Sequence, residues 1–169
     1  MAQTVATRRM RESTTIMPRD PQLSFAFEAR VRIAAPIDLG VTRNGHRRII
    51  PILGGEVEGT QLRGKVIAGG ADWQILHPDG SADLEARYTI QTDDGALIYV
   101  LNRGIRRGDP EVLKRLNAGQ PVDPDQVYFR SAARFETSAP AYSWLADALF
   151  VGSGERHPDH VVLRFYRVL

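Results

Sequence analysis

YTIQTDDGALIYVLNRG, residues 88–104, sets the fold class. Asp93 and Asp94 suit a type I turn, and Gly95 supplies the left-handed residue that closes it with a bulge. If Thr92 pairs with Ala96, two antiparallel strands follow. Ile90 then faces Ile98, Tyr88 faces Val100 and Ala86 faces Asn102. On the other side Thr89 meets Tyr99, Arg87 meets Leu101 and Glu85 meets Arg103. A slip of one residue would exchange the two faces, so the turn carries the register. The Ile90/Ile98 face is the expected interior. Tyr88 and Asn102 are then polar groups on an apolar wall, and each needs a partner. That partner is either backbone and ordered water or a ligand in a cavity. Glu85 and Arg103 read as a cross-strand ion pair on the outer face, of little worth to stability.

Strands continue on both sides of this hairpin. In LSFAFEARVRI (23–33), apolar Leu23, Phe25, Phe27, Ala29, Val31 and Ile33 fall at every second position. RRIIPILGGEVEGT reads as one or two extended pieces broken at Gly54-Gly55. QLRGKVIAGG and ADWQILHP read as two short strands, with a turn at Pro78-Asp79-Gly80. VYFRSAARFET, ALFVGSGE and HVVLRFYRVL complete the set. The expected fold is all-β, a single antiparallel barrel of roughly eight to ten strands, closed so that no edge is left exposed. Helical signal is confined to loops. GDPEVLKRLNAGQ has Asp109 as cap, Pro110 at the first helical position and Gly119 beyond the end. APAYSWLADAL holds another short turn. Residues 1–20 are polar and aperiodic and are expected to be a flexible tail, with the barrel domain spanning 21–169.

Composition narrows the function classes. The chain has 169 residues, 43% hydrophobic and 25% charged, with formal net charge +2. That suits one globular domain. All but two of its 22 basic residues are Arg, interleaved with acids, so no basic stripe invites nucleic acid. With no Cys, there is no disulfide framework, thiolate chemistry or zinc ribbon. No apolar run is long enough for a membrane helix, and no signal peptide follows Arg8-Arg9. A cytoplasmic, soluble protein is expected.

Four separated segments carry a family likeness: GGEVEGTQLRGKVIAGGADWQ, ARYTIQTDDGALIYVLNRG, YFRSAARFETSAPAYSWL and LFVGSGERHPDHVVLRFYRV. In this order they resemble the bacterial and fungal family catalogued as domain of unknown function 3237, over about residues 22–169. The resemblance implies a small antiparallel β-barrel and little about chemistry. Family-like positions include Asp72, Trp73, Tyr88, Asn102, Arg134, Phe135 and Trp144.

Asp72 follows the bend at Gly69-Gly70. Facing solvent it is an ordinary turn residue. Turned inward, an apolar pocket would raise its pKa and suit it to proton transfer. Trp73 and Trp144 are core residues or stacking surfaces for a ligand. Arg134 is a solvated outer residue or an anion clamp. His157 and His160, three apart, are weak metal evidence, and His46 and His77 lack ligand spacing, so no metal site is expected.

Two functional expectations follow. In the first, the barrel is a cofactor-independent enzyme of isomerase, lyase, hydratase or cyclase type, acting on a small apolar carbonyl compound. Asp72, Tyr88 and Asn102 are its catalytic candidates, and Trp73, Arg134 and Trp144 its ligand-binding candidates. In the second, the barrel carries a small hydrophobic ligand unchanged. Neither needs a cofactor, nucleic acid or membrane, and assembly into a homo-oligomer stays open.

Overall fold

The 88–104 hairpin pairs as its turn requires. Ile90 opposes Ile98, Tyr88 opposes Val100, Ala86 opposes Asn102 and Glu85 opposes Arg103. The Thr92 amide bonds the Ala96 carbonyl at 2.9 Å, and Gly95 has φ +89°. The computed structural model describes residues 19–169, so the tail expected at 1–20 lies almost wholly outside the described residues.

Nine strands form one antiparallel sheet. They are β1 (Leu23–Ile33), β2 (Ile37–Thr42), β3 (Gly45–Gly59), β4 (Gly64–Leu76), β5 (Ala82–Thr92), β6 (Leu97–Gly108), β7 (Val127–Glu136), β8 (Phe150–Arg156) and β9 (His160–Val168). Neighbours run β1-β9-β8-β7-β6-β5-β4-β3, and β1 returns to pair with β3. Eight strands therefore close a barrel, and β2 lies outside it against the first half of β3. Closure leaves the barrel strands with partners on both sides.

Two sequence expectations change here. Gly54-Gly55 does not break the chain into two pieces: β3 runs unbroken through it, with a register shift between Pro51 and Gly55. β4 likewise runs through Gly69-Gly70, with a shift between Ile67 and Ala71. The glycines bend strands that stay paired. Gly55, at φ +157°, also admits β1, since a Cβ there would fall 2.1 Å from the Arg30 carbonyl oxygen. The short strand β2 was not foreseen. Ile37, Leu39 and Val41 are all exposed, so no buried face marks it.

The interior divides into two halves. The half nearest the 93–95 turn is filled. Phe27, Ile90, Ile98, Val100 and Phe165 are fully buried. Phe135 packs edge-on against Phe27, Phe150 and Phe165, with ring centroids 5.1–5.8 Å apart. A 3-10 turn at Pro140–Leu145 caps this end, burying Leu145 and placing Trp144 on Phe150. Tyr142 donates to Asp94 at 3.1 Å, tying the cap to the turn.

The opposite end is covered by α1 (Pro110–Asn117), which follows β6. Asp109 caps it by accepting the Glu111 amide at 2.9 Å. Val112, Leu113 and Leu116 form its buried face.

Candidate functional site

Between the aromatic half and α1 the barrel is lined by a mixture of apolar and polar side chains. Inward residues fall in rows across the sheet. One row runs Ile50, Asp72, Ala86, Asn102 and Ala133 through successive strand pairs. The next holds Leu84, Gly104, Ser131 and Gly152. The last pairs Ala82 with Arg106 and Arg106 with Phe129. The two glycines of the middle row admit close neighbours, since a Cβ on Gly104 would fall 2.8 Å from the Arg130 carbonyl oxygen and one on Gly152 2.5 Å from Ser131 Oγ. Among the inward residues lies a cavity of about 50 Å³. That space would hold a few water molecules.

The cavity has two chemically different sides. Val31 and Ile33 of β1, Ile50 and Ile52 of β3, and Val161 and Leu163 of β9 give an apolar wall. Asp72 and Gln74 of β4, Tyr88 of β5, Asn102 and Arg106 of β6, Ser131 of β7 and Arg156 of β8 give a polar one.

Polar atoms on this wall are short of partners. Tyr88 Oη, Asn102 Oδ1, Arg106 Nε and Ser131 Oγ are each buried with no hydrogen bond. All four residues line the cavity. An orphaned buried polar atom costs about 1–3 kcal/mol, so these four atoms call for hydrogen-bond partners within that space. Burial alone raises the Tyr88 pKa, so the phenol stays protonated and able to donate.

Asp72 is the one carboxylate on the wall. Its Oδ1 accepts the Glu85 amide at 3.0 Å, and its Oδ2 accepts from Gln74 Nε2 at 2.5 Å. The strand pairs beside it run Asp72↔Ala86 and then Ile75↔Asp83, so the side chain takes an amide where the ladder opens. Burial raises its pKa, against the lowering pull of Gln74, Arg106, the Glu85 amide and Arg48.

Three arginines surround it. Arg48 donates through Nε to Gln74 Oε1 at 2.7 Å and through Nη2 to Asn117 Oδ1 at 3.3 Å. Arg106 is 1% exposed and donates through Nη2 to the same Asn117 oxygen at 3.0 Å. Burial, reinforced by the neighbouring arginines, lowers the Arg106 pKa to about 9. Burial and Arg156 lower that of Arg48 to about 10. Burial also lowers that of half-buried Arg156.

Of the sequence candidates, the structure brings together Asp72, Tyr88 and Asn102. It does not bring Trp73, Arg134 or Trp144 to the cavity. Trp73 alternates with Asp72 and so points outward, 36% exposed. Arg134 lies on the outer face of β7, opposite Leu101. Trp144 sits on the closed end against Phe150. His157 and His160 stack at 4.3 Å and bond Glu155 and Asp159 respectively. No group of metal-binding side chains is found among the described residues. No helix there is long and apolar enough to cross a membrane.

Sequence reasoning missed Arg48, Gln74, Arg106, Ser131 and Arg156. The signal was present: each keeps the inward phase of its strand. Arg106 continues Ile98, Val100, Asn102 and Gly104, and Ser131 continues Phe129, Ala133 and Phe135.

The family described as "Protein of unknown function (DUF3237)" matches residues 21–168. The chain belongs to this family. Among DUF3237 relatives, a UPF0311 protein of Rhodopseudomonas palustris is 49% identical over 148 residues, covering 88% of this chain and 97% of that one. A UPF0311 protein of Clostridium acetobutylicum is 42% identical over 143 residues, covering 84% and 90%. The crystal structure of a conserved protein of unknown function from R. palustris superposes with a TM-score of 0.86 at 48% identity, over 90% of this chain and 100% of that one. A more distant structure, described as an enzyme from Penicillium herquei, gives a TM-score of 0.67 at 23% identity, over 91% and 98%. At that distance the likeness bears on the fold alone.

Proposed function

We propose that the cavity binds a small carbonyl compound and rearranges it by proton transfer, with no cofactor. The observation that carries this is the convergence of Tyr88, Asn102, Arg106 and Ser131, each with an unpartnered buried atom, on the space beside Asp72. Asp72, its pKa raised by burial, moves a proton to or from the carbon next to the carbonyl. The Tyr88 hydroxyl donates to the oxygen as negative charge builds there. The Asn102 amide, which can present either its oxygen or its nitrogen, orients the ligand. A proton donor–acceptor beside oxyanion donors is the set that an isomerase, lyase, hydratase or cyclase step of this kind uses. The Penicillium herquei enzyme is built on the same barrel, although fold does not fix function.

The apolar wall from β1, β3 and β9 favours a second reading, a carrier that holds its ligand unchanged. Deuterium exchange separates the two. A panel of small ketones and enones is incubated with the protein in heavy water and followed by proton NMR. Stereoselective label at the carbon beside the carbonyl, lost in Asp72→Asn, is the enzyme's result. Line broadening without label is the carrier's. Exchange that persists in Asp72→Asn overturns the role given to this carboxylate.

A further inference from the structure

The polar wall of the cavity carries more positive charge than it balances. Arg106 and Arg156 line it, Arg48 stands behind it on Gln74 and Asn117, and Asp72 is its one acid. Every ion pair within 4.0 Å among the described residues is made by other groups. Asp72 itself is held by Gln74 and the Glu85 amide, not by a guanidinium. Asp38 also acts on Arg48 from a distance, but it is bonded to His46. Asn117 offers one neutral oxygen to two guanidiniums. Arg106 has no solvent to turn to, being 1% exposed, and its Nε faces no acceptor.

Burying a cation without a counter-charge costs several kcal/mol even after relaxation. With both lowered values still near 9 and 10, Arg106 and Arg48 stay charged at neutral pH. An anion in the cavity would balance that excess. Guanidinium favours planar oxyanions, to which it can offer two parallel N–H donors.

We propose that the cavity's ligand is an organic carboxylate, whose anionic group Arg106 binds through its free Nε–H while Arg48 and Arg156 supply the surrounding positive field. This rests on the reading above that the cavity holds a small molecule, and it narrows the substrate from a neutral carbonyl compound to a keto or enoyl acid. The carboxylate would sit beside Arg106, with its apolar portion against Val31, Ile33 and Ile52. A second negative charge in the cavity also favours the protonated form of Asp72, the form that donates.

Calorimetric titration of the whole chain with matched pairs small enough for the cavity tests this: formate and formamide, acetate and acetamide, propionate and propionamide, with inorganic phosphate alongside. The expected result is an acid that binds about tenfold or more tighter than its amide. That preference disappears in Arg106→Gln and shrinks in Arg156→Gln, which keeps a second test available if the deeper substitution prevents folding. Arg134→Gln, on the outer face, leaves it unchanged. Amides that bind as well as acids overturn the carboxylate and leave the small-molecule cavity standing. Phosphate binding with no acid binding replaces the organic ligand with a free inorganic anion and overturns the proposal. If nothing in the panel binds, the carboxylate fails and the small-molecule reading beneath it fails with it.

Discussion

The side-chain oxygen of Asn117, on the last residue of α1, lies 3.0 Å from a terminal nitrogen of Arg106 on β6. The same oxygen accepts from Arg48 on β3 at 3.3 Å. A helix that covers one end of the barrel is thus fastened to the charged wall of the cavity. Its apolar face, Val112, Leu113 and Leu116, supplies the rest of the attachment.

Replacing Asn117 by Ala leaves two buried guanidinium donors short of an acceptor. A loss of about 1–3 kcal/mol is expected, read as a lower urea midpoint with an unchanged slope. Amide exchange should accelerate in α1 more than in β5 or β6, because the helix loses its polar anchor and the strands keep their ladders. Uniform acceleration would show that the anchor belongs to the whole barrel instead.

Tyr88→Phe separates stability from function. The hydroxyl is buried with no partner in the ligand-free protein, so its removal relieves a cost of about 1 kcal/mol or more. Thermal unfolding should shift upward while ligand binding weakens. A drop in melting temperature would mean that the hydroxyl already has a partner, such as an ordered water.

Asp72 gives a pH signature. Burial raises its pKa, so the folded protein favours the protonated acid. The penalty for ionising it is absent below the unfolded value of about 3.9. It grows as pH rises from there and is complete above the folded pKa. Asn cannot ionise. The stability of Asp72→Asn relative to the unaltered protein should therefore improve between about pH 3.5 and about pH 7.5, measured as urea midpoints at both values. A difference that stays flat, or turns against Asn as pH rises, would place the carboxylate in a surrounding that welcomes its charge.

Much of the fold could be read in the sequence, because turn chemistry and period-two alternation are local. TDDGA fixed six residue pairs of the β5–β6 hairpin before any long-range contact was considered. The bends at Gly54-Gly55 and Gly69-Gly70 could not be read the same way. A glycine pair looks alike whether it ends a strand or bends one, and only the neighbouring strand, β1 against Gly55, settles which. The same uncertainty left Asp72 facing either way. Arg106 was hidden for a different reason. In RGIRRG a charged residue reads as solvated, although the strand's inward phase runs on from Asn102 through Gly104 to Arg106. Trp73 and Arg134 attracted notice through their chemistry, yet phase alone puts both on the outer wall.

Arg134→Ala follows from that placement. The residue is exposed on β7, so its removal should change stability by no more than about 0.5 kcal/mol and leave ligand binding as it was. Loss of binding in this variant would move the site from the barrel interior to its outer wall.

The central claim is that the barrel interior, and not its surface, is the binding site. Amide chemical-shift mapping against a library of small carboxylates and ketones tests it most directly. Binding fragments should shift the amides of Asp72, Tyr88, Asn102, Arg106 and Ser131 together, with smaller changes in α1. Shifts gathered instead on the outer groove between Tyr128 and Tyr166, with the cavity residues silent, would contradict the account.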